Sequence, residues 1–461
     1  MLPAPRIILI DDNPNHLRGL SDGLNRYGVA SLQVHFTGDV TGINPCPHVR
    51  VLFADLHLNE GGAAQDHVRH FTVIGGLLQE TFVPTGPYAL ILWTRFPDQA
   101  EGLRAFLEER LQGVAKPFCV VSLDKNVHLD ADGNVRDPGA LVQAISQIVQ
   151  GEPQIAALLN WEERVLGAAA QTVAAIIELA GTGTPAAGRG QAIGRLLFRL
   201  GVEAVGEGNV ASDRFRAVNE ALFPILADRI SALKADADAD VWEQALAGQT
   251  ADAGVTIEEA STLNRFLHIA DSRNVTGLDR GAVVALPGRF TGAGFQQSFG
   301  LAEATAAAEQ FGCSNFAAGD AQFRWLLVQV QAACDFAQDQ PGPIPYVLAL
   351  EMPVASVSKK PAPGAVIKSP AFTGATGQPK LLHINARFQT SVPEGEAGGV
   401  TVEYRLREPL LSDIAYRIHT YGARPGIISF HEKKAKPAVG SAAVNAEAPK
   451  GTASKPGAKP T

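Results

Sequence analysis

The sequence predicts an α/β amino-terminal domain built on a parallel sheet, then an all-α domain, then a small, mostly β, barrel-like domain. Three observations carry this. Between residues 3 and 150, short apolar runs alternate with amphipathic segments, the (βα)5 pattern of a parallel sheet. From 151 to 272, apolar residues recur at helical spacing. After 273, runs rich in Val, Leu and Tyr return, separated by Gly/Pro loops. The predicted boundaries are therefore 1–150, 151–272 and 273–431, with a tail over 432–461. That tail is Lys, Ala, Pro, Gly and Ser with almost nothing to bury, and is expected to be disordered.

The first domain opens on Ile7-Ile8-Leu9-Ile10, which runs straight into Asp11 and Asp12. A continuous apolar run of this kind reads as a strand buried on both faces, with the two acids at its carboxyl end. In open parallel sheets that edge is where ligands bind. His16–Tyr27 places Leu17, Leu20 and Leu24 on one helical stripe, and Gly28 follows as a stop. Ser31–Phe36 is a short strand and Asp39–Pro47 a loop. Val49–Ala54 is the next strand and closes on Asp55. His67–Phe82 reads as a long helix. Ala89–Trp93 closes on Thr94, Gln99–Leu111 is a helix with Leu103, Phe106, Leu107 and Leu111 inward, and Phe118–Leu123 leads to Lys125. Asp130–Asn134 is a turn, too short for a calcium loop. Ala140–Val149 is the last helix of the domain.

In the middle region Ile155–Leu179 reads as one or two helices, followed by Gln191–Ala204, Phe215–Leu233, Val241–Leu246 and Ile257–Ile269. Gly181–Gly190 is glycine-rich but lacks the Gly-Lys-Ser/Thr of a phosphate-binding loop, so it reads as a linker. Asp236, Asp238 and Asp240 alternate with Ala; on a helix they share no face, and they read as a solvated loop. Beyond 273, strands are predicted at Val283–Pro287, Trp325–Val330, Tyr346–Leu350, Lys380–Asn385 and Val400–Tyr404, with a helix at Glu408–Tyr421.

The bulk properties narrow the function. A net charge of -8, with no basic stripe in the apparently folded part, argues against a general nucleic-acid binder. Cys46, Cys119, Cys313 and Cys334 are scattered, with no CxxC or Cys/His cluster, which predicts neither a disulfide framework nor a structural zinc site. Asp11 and Asp12 interrupt any signal-peptide core, and no apolar run is long enough to span a bilayer. A soluble, cytoplasmic protein is expected.

A carboxylate pair, a lone carboxylate, a hydroxyl and an amine, each at a strand end and in that order, resemble the receiver domain of two-component response regulators. The resemblance covers the first domain. It implies Mg²⁺ held by Asp11, Asp12, Asp55 and the backbone carbonyl of His57. It implies phosphoryl acceptance on Asp55, with Thr94 and Lys125 contacting the phosphoryl group. It also implies a histidine kinase or related ATPase as donor and a protein partner for output, with no DNA and no membrane, and leaves a homodimer open. The sequence departs from the family in several places. Lys125-Asn126 stands where Lys-Pro is usual, while Lys116-Pro117 offers a rival lysine before the strand. Ser122 occupies the position of the family's switch aromatic, and the usual proline after the acceptor is replaced near Asn59. Cys334-Asp335 and Arg405-Leu406-Arg407 with Arg424-Pro425-Gly426 resemble motifs found beside atypical receivers in bacterial phage-defence operons. Arg405, Arg407, Arg417 and Arg424 are either an anion-binding face or a solvated helix edge. Two other readings follow from the same residues. One is a pseudo-receiver scaffold with no phosphoryl chemistry. The other is an enzyme centred on Cys334, with His383 or His419 as base.

Overall fold

The structure is a computed structural model that describes residues 4–38, 40, 42–58, 67–181, 185–233, 239–249, 254–359 and 364–423. Asn59, Asp236, Asp238, Arg424 and the tail 432–461 lie outside the described residues. The chain divides into two compact units, Met1–Thr256 with Ala332–Pro341, and Ile257–Gln331 with Gly342–Thr461.

The first unit begins with a parallel sheet of β1 (Ile7–Asp11), β2 (Leu32–His35), β3 (Val51–Ala54), β4 (Ala89–Thr94) and β5 (Cys119–Asp124), in the order β2-β1-β3-β4-β5. Between the strands run α1 (Pro14–Asn25), α2 (His67–Gly76) and α3 (Ala100–Arg110); α4 (Lys125–His128) and α5 (Pro138–Gln150) follow β5. Helix α1 starts where it does because the Asn13 side chain accepts the N–H groups of Asn15 and His16, and Pro14 takes the first helical position. Strand alternation sorts the core. Ile8, Ile10, Leu52, Leu90 and Leu92 face one side with Phe71, Leu103 and Leu107 of α2 and α3. Leu9, Phe53, Ile91 and Trp93 face the other with Leu17, Leu20, Leu24 and Leu141 of α1 and α5. Continued past the strand ends, the same alternation carries Asp11, Asp55 and Lys125 onto the second side, because each lies two residues beyond Leu9, Phe53 and Leu123.

The predicted helix His67–Phe82 changes character part-way. Its last turn, Leu77–Phe82, is π-helical and turns Leu77, Leu78 and Phe82 into the core. It closes on Val83 at φ 48°, ψ 58°, a left-handed conformation that crowds a β-branched side chain. Val83→Gly is therefore expected to raise stability by about 1 kcal/mol, the relieved strain exceeding glycine's entropic cost; urea unfolding checks it.

Ile155–Leu179 forms a single helix, α6 (Pro153–Leu179), which α7 (Ala186–Val205), α8 (Glu207–Ser212), α9 (Arg214–Ala232) and α10 (Ala239–Leu246) follow. Glu162 of α6 accepts from Arg50 Nε at 2.9 Å and Nη2 at 3.0 Å, and also from Arg6. These arginines precede β3 and β1. Residues 332–341 join this unit from far along the chain: Arg216 of α9 donates to the Phe336 carbonyl at 2.9 Å and lies over its ring at 4.4 Å.

The second unit holds α11 (Ile257–His268), β6 (Ile269–Ala270), β7 (Ala282–Ala285), β8 (Arg324–Gln329), β9 (Ile344–Pro353), β10 (Val366–Lys368), β11 (Phe372–Thr373), β12 (Pro379–Val392), β13 (Val402–Leu406) and α12 (Glu408–Gly422). The strands form one antiparallel sheet in the order β10-β12-β9-β8-β7-β13-β6, with β11 beside β12. Among the described residues the end strands do not pair, so the sheet is open where the sequence predicts a small barrel. Three residues in β10 and two in β6 give little ladder with which to close it. One face packs under Leu410, Leu411, Ile414 and Ile418 of α12, the other under Phe290, Phe295 and Phe311. On the α12 face, Glu351 is 1% exposed and fully engaged. It accepts from Arg324 Nε and Nη2 at 3.0 Å each, Lys380 Nζ at 3.1 Å and the Tyr404 hydroxyl at 2.9 Å. Burial alone would raise its pKa, but these donors outweigh it and hold the carboxyl below its ordinary value. No helix among the described residues is long and apolar enough to cross a membrane.

Candidate functional site

At the carboxyl edge of the parallel sheet, Lys125 sits between two acids. Its Nζ lies 2.6 Å from Asp11 Oδ2 and 2.9 Å from Asp55 Oδ2, with all three residues buried. Asp124 starts α4 by accepting the Asn126 N–H at 2.8 Å, and this turn sends Lys125 inward just past β5. Asp11 Oδ1 accepts the Asn13 N–H at 2.8 Å, which ties the carboxylate to the start of α1. Half-buried Asp12 completes an acidic trio: Asp11, Asp12 and Asp55 offer oxygens that lie within 4.8 Å of one another.

One ammonium faces three carboxylates, so the cluster carries surplus negative charge when all are ionised. Its electrostatics are split accordingly. Burial, then the charges of Asp55 and Asp11, push Asp12 up to about 6. Burial would also raise Asp11, but the His16 hydrogen bond and the Lys125 charge bring it below its usual value. An all-oxygen donor set with excess charge matches a hard divalent cation of the Mg²⁺ kind.

The remaining predicted residues fall around this cluster. Thr94 ends β4, is fully buried, and accepts the Phe96 N–H at 3.2 Å, which leaves its hydroxyl proton free to donate. His57 follows Asp55 by two residues. Its ring packs edge-on against His70 at 4.4 Å and Phe96 at 4.7 Å, and burial, then the neighbouring His70, lower its pKa. Ser122 donates to the Pro97 carbonyl at 2.9 Å. Lys116 is directed elsewhere: its Nζ donates to Glu108 Oε2 at 2.9 Å on the surface of α3.

Two features were missing from the sequence reading. His16 lies 3.7 Å from Asp11 and 3.4 Å from Lys125 through Nδ1. Its position in the first turn of a helix capped directly after the acidic pair was the available signal. The rings of His57, His70 and Phe96 come from three separate segments, and no local pattern announces them.

Cys334 falls in the first unit, within residues 332–341. It is exposed, and its thiol donates to the adjacent Asp335 at 3.3 Å. His383 is fully buried, with Nδ1 at the Phe311 carbonyl. Arg417 pairs with Asp413 at 3.0 Å along α12, as a solvated helix edge does.

Compared with protein-family models, curated proteins and solved structures, the chain matches none. Fold and geometry together define a parallel α/β domain with a lysine-bridged acidic cluster at the carboxyl edge of its sheet.

Proposed function

We propose that this domain is a receiver of the response-regulator type, with Asp55 accepting a phosphoryl group. The observation that carries the reading is Lys125 bridging Asp11 and Asp55, with Asp12 beside them, at the ligand-binding edge of a β2-β1-β3-β4-β5 sheet. An Asp55 oxygen attacks phosphorus in line, the bond from phosphorus to the donor breaks, and the donor leaves with that electron pair. Mg²⁺ bound by Asp12, Asp55 and the His57 carbonyl, with Asp11 acting through water, would offset the charge of both partners. Lys125 pairs with the transferred group, and the Thr94 hydroxyl donates to it. A histidine kinase or related ATPase in the cytoplasm is the donor this chemistry calls for. Output runs through protein contacts, since the net charge of -8 disfavours DNA.

One observation favours a second reading. Lys125 already pairs both buried acids, so the domain can also stand as a pseudo-receiver scaffold with no phosphoryl step. Intact-mass measurement after treatment with acetyl phosphate and Mg²⁺ separates the two. The receiver reading expects one phosphoryl mass on the wild type and none on Asp55→Asn; an unmodified wild type leaves the scaffold.

Cation affinity should depend on pH. Below about 6 Asp12 takes up a proton, so each ion bound must displace one. Affinity measured by calorimetry is expected to fall about tenfold per pH unit there. The sign for the cation-free protein is opposite. A carboxyl raised in the folded state favours folding while protonated, so that contribution is lost as pH rises through about 6.

A further inference from the structure

The Lys125 ammonium has three hydrogens and no lone pair, so it can only donate. Two of its acceptors are Asp11 Oδ2 at 2.6 Å and Asp55 Oδ2 at 2.9 Å. The third is His16 Nδ1, at 3.4 Å. Because this side chain is 4% exposed, a hydrogen left over here would be stranded away from water. Since the ammonium cannot accept, Nδ1 must, and the ring's proton then sits on Nε2. Asp11 Oδ1 competes for the same nitrogen from 3.7 Å, beyond ordinary hydrogen-bond reach. The chain also builds a support for this ring. In the turn Asp130–Asn134, Asp130 Oδ1 accepts the N–H groups of Asp132 at 2.9 Å and Asn134 at 2.8 Å. Within that turn Gly133, at φ 82°, lies so close to His16 that a β-carbon there would stand 3.4 Å from ring Cδ2. On α1 the facing residue is Gly19, whose β-carbon would run into the Gly133 carbonyl. Glycine at both points lets the turn lie directly on α1, against the ring.

We propose that His16 is a positioning residue of the acidic site: seated against this turn, it takes the third hydrogen of Lys125 and fixes the ammonium between Asp11 and Asp55. A head group with two partners can pivot about them, whereas one with three is held. As a statement about phosphoryl transfer, this rests on the receiver reading. There, a fixed ammonium meets the incoming group in one place beside Asp55, and no reorientation is needed first.

NMR of the full chain, nitrogen-labelled at His and Lys, tests it without phosphoryl chemistry. The buffer is weakly alkaline, where a free imidazole is neutral and exposed lysines exchange their protons too fast to be seen. His16 is expected to show Nδ1 bare and Nε2 protonated. The Lys125 ammonium, identified by its loss in Lys125→Arg, should be visible. His16→Leu should erase that signal. His16→Asn, whose amide oxygen stands where Nδ1 stood, should keep it. With acetyl phosphate and Mg²⁺, His16→Leu should take up the phosphoryl group about tenfold more slowly than the wild type, and His16→Asn within about twofold of it. A ring protonated on Nδ1 overturns the proposal. So does an ammonium signal, or a phosphorylation rate, that His16→Leu leaves unchanged. The wild-type ring spectrum needs no variant, so it decides even if His16→Leu fails to fold. A wild type that takes up no phosphoryl group sinks the receiver reading alone; the nitrogen signals still decide whether His16 holds Lys125.

Discussion

Lys125→Met is expected to lower the stability of the cation-free first unit by about 3–5 kcal/mol, the usual effect of breaking a buried ion pair from one side. The wild-type ammonium lies within 2.9 Å of Asp11 and Asp55, and without it two buried carboxylates meet with Asp12 alongside. The charge, not the missing methylene packing, is what hurts. Adding Mg²⁺ should therefore recover much of the loss, and should stabilise this variant more than the wild type. Thermal unfolding with and without the cation measures both effects. A variant as stable as wild type, or one that Mg²⁺ leaves unchanged, would count against a cation site among these acids.

In the second unit, Glu351→Ala is expected to destabilise by about 3–5 kcal/mol for the converse reason. It strands Lys380, which is 5% exposed, removes the bidentate acceptor of Arg324, and leaves the Tyr404 hydroxyl without its acceptor. Hydrogen exchange of the β8, β9 and β12 amides in the full chain reads the effect on this unit alone. Replacing Glu351, Arg324 and Lys380 together by apolar residues of similar volume should return most of the loss. The network also sets a pH dependence. Glu351 is held below its ordinary value of 4.5, so its contribution is complete above that value and disappears as pH falls through the folded pKa. Glu351→Gln should remove that acid-side dependence.

Much of the site was legible because strand-end chemistry is a local pattern. Four apolar runs close on Asp11–Asp12, Asp55, Thr94 and near Lys125, and alternation along each strand decides the side on which each residue emerges. The choice between Lys125 and Lys116 turns on the same rule: Lys125 follows β5, whereas Lys116 precedes it and stays with α3. The remainder depended on long-range placement. Strands β6, β10 and β11 have two or three residues each, too few to show a period. The π-helical turn before Val83 shares its composition with an ordinary helix. Residues 332–341 lie between two strands of the second unit and belong to the first, which no window of neighbouring residues could reveal.

The pairing of Arg6 and Arg50 with Glu162 has one more implication. Arg6 precedes Asp11 by five positions on the first strand, and Arg50 precedes Asp55 by five on the third. Each strand thus spans about 16 Å between an acid at one tip and a basic anchor at the other. Along either strand no loop stands between the acidic tip and the arginine that holds the long helix.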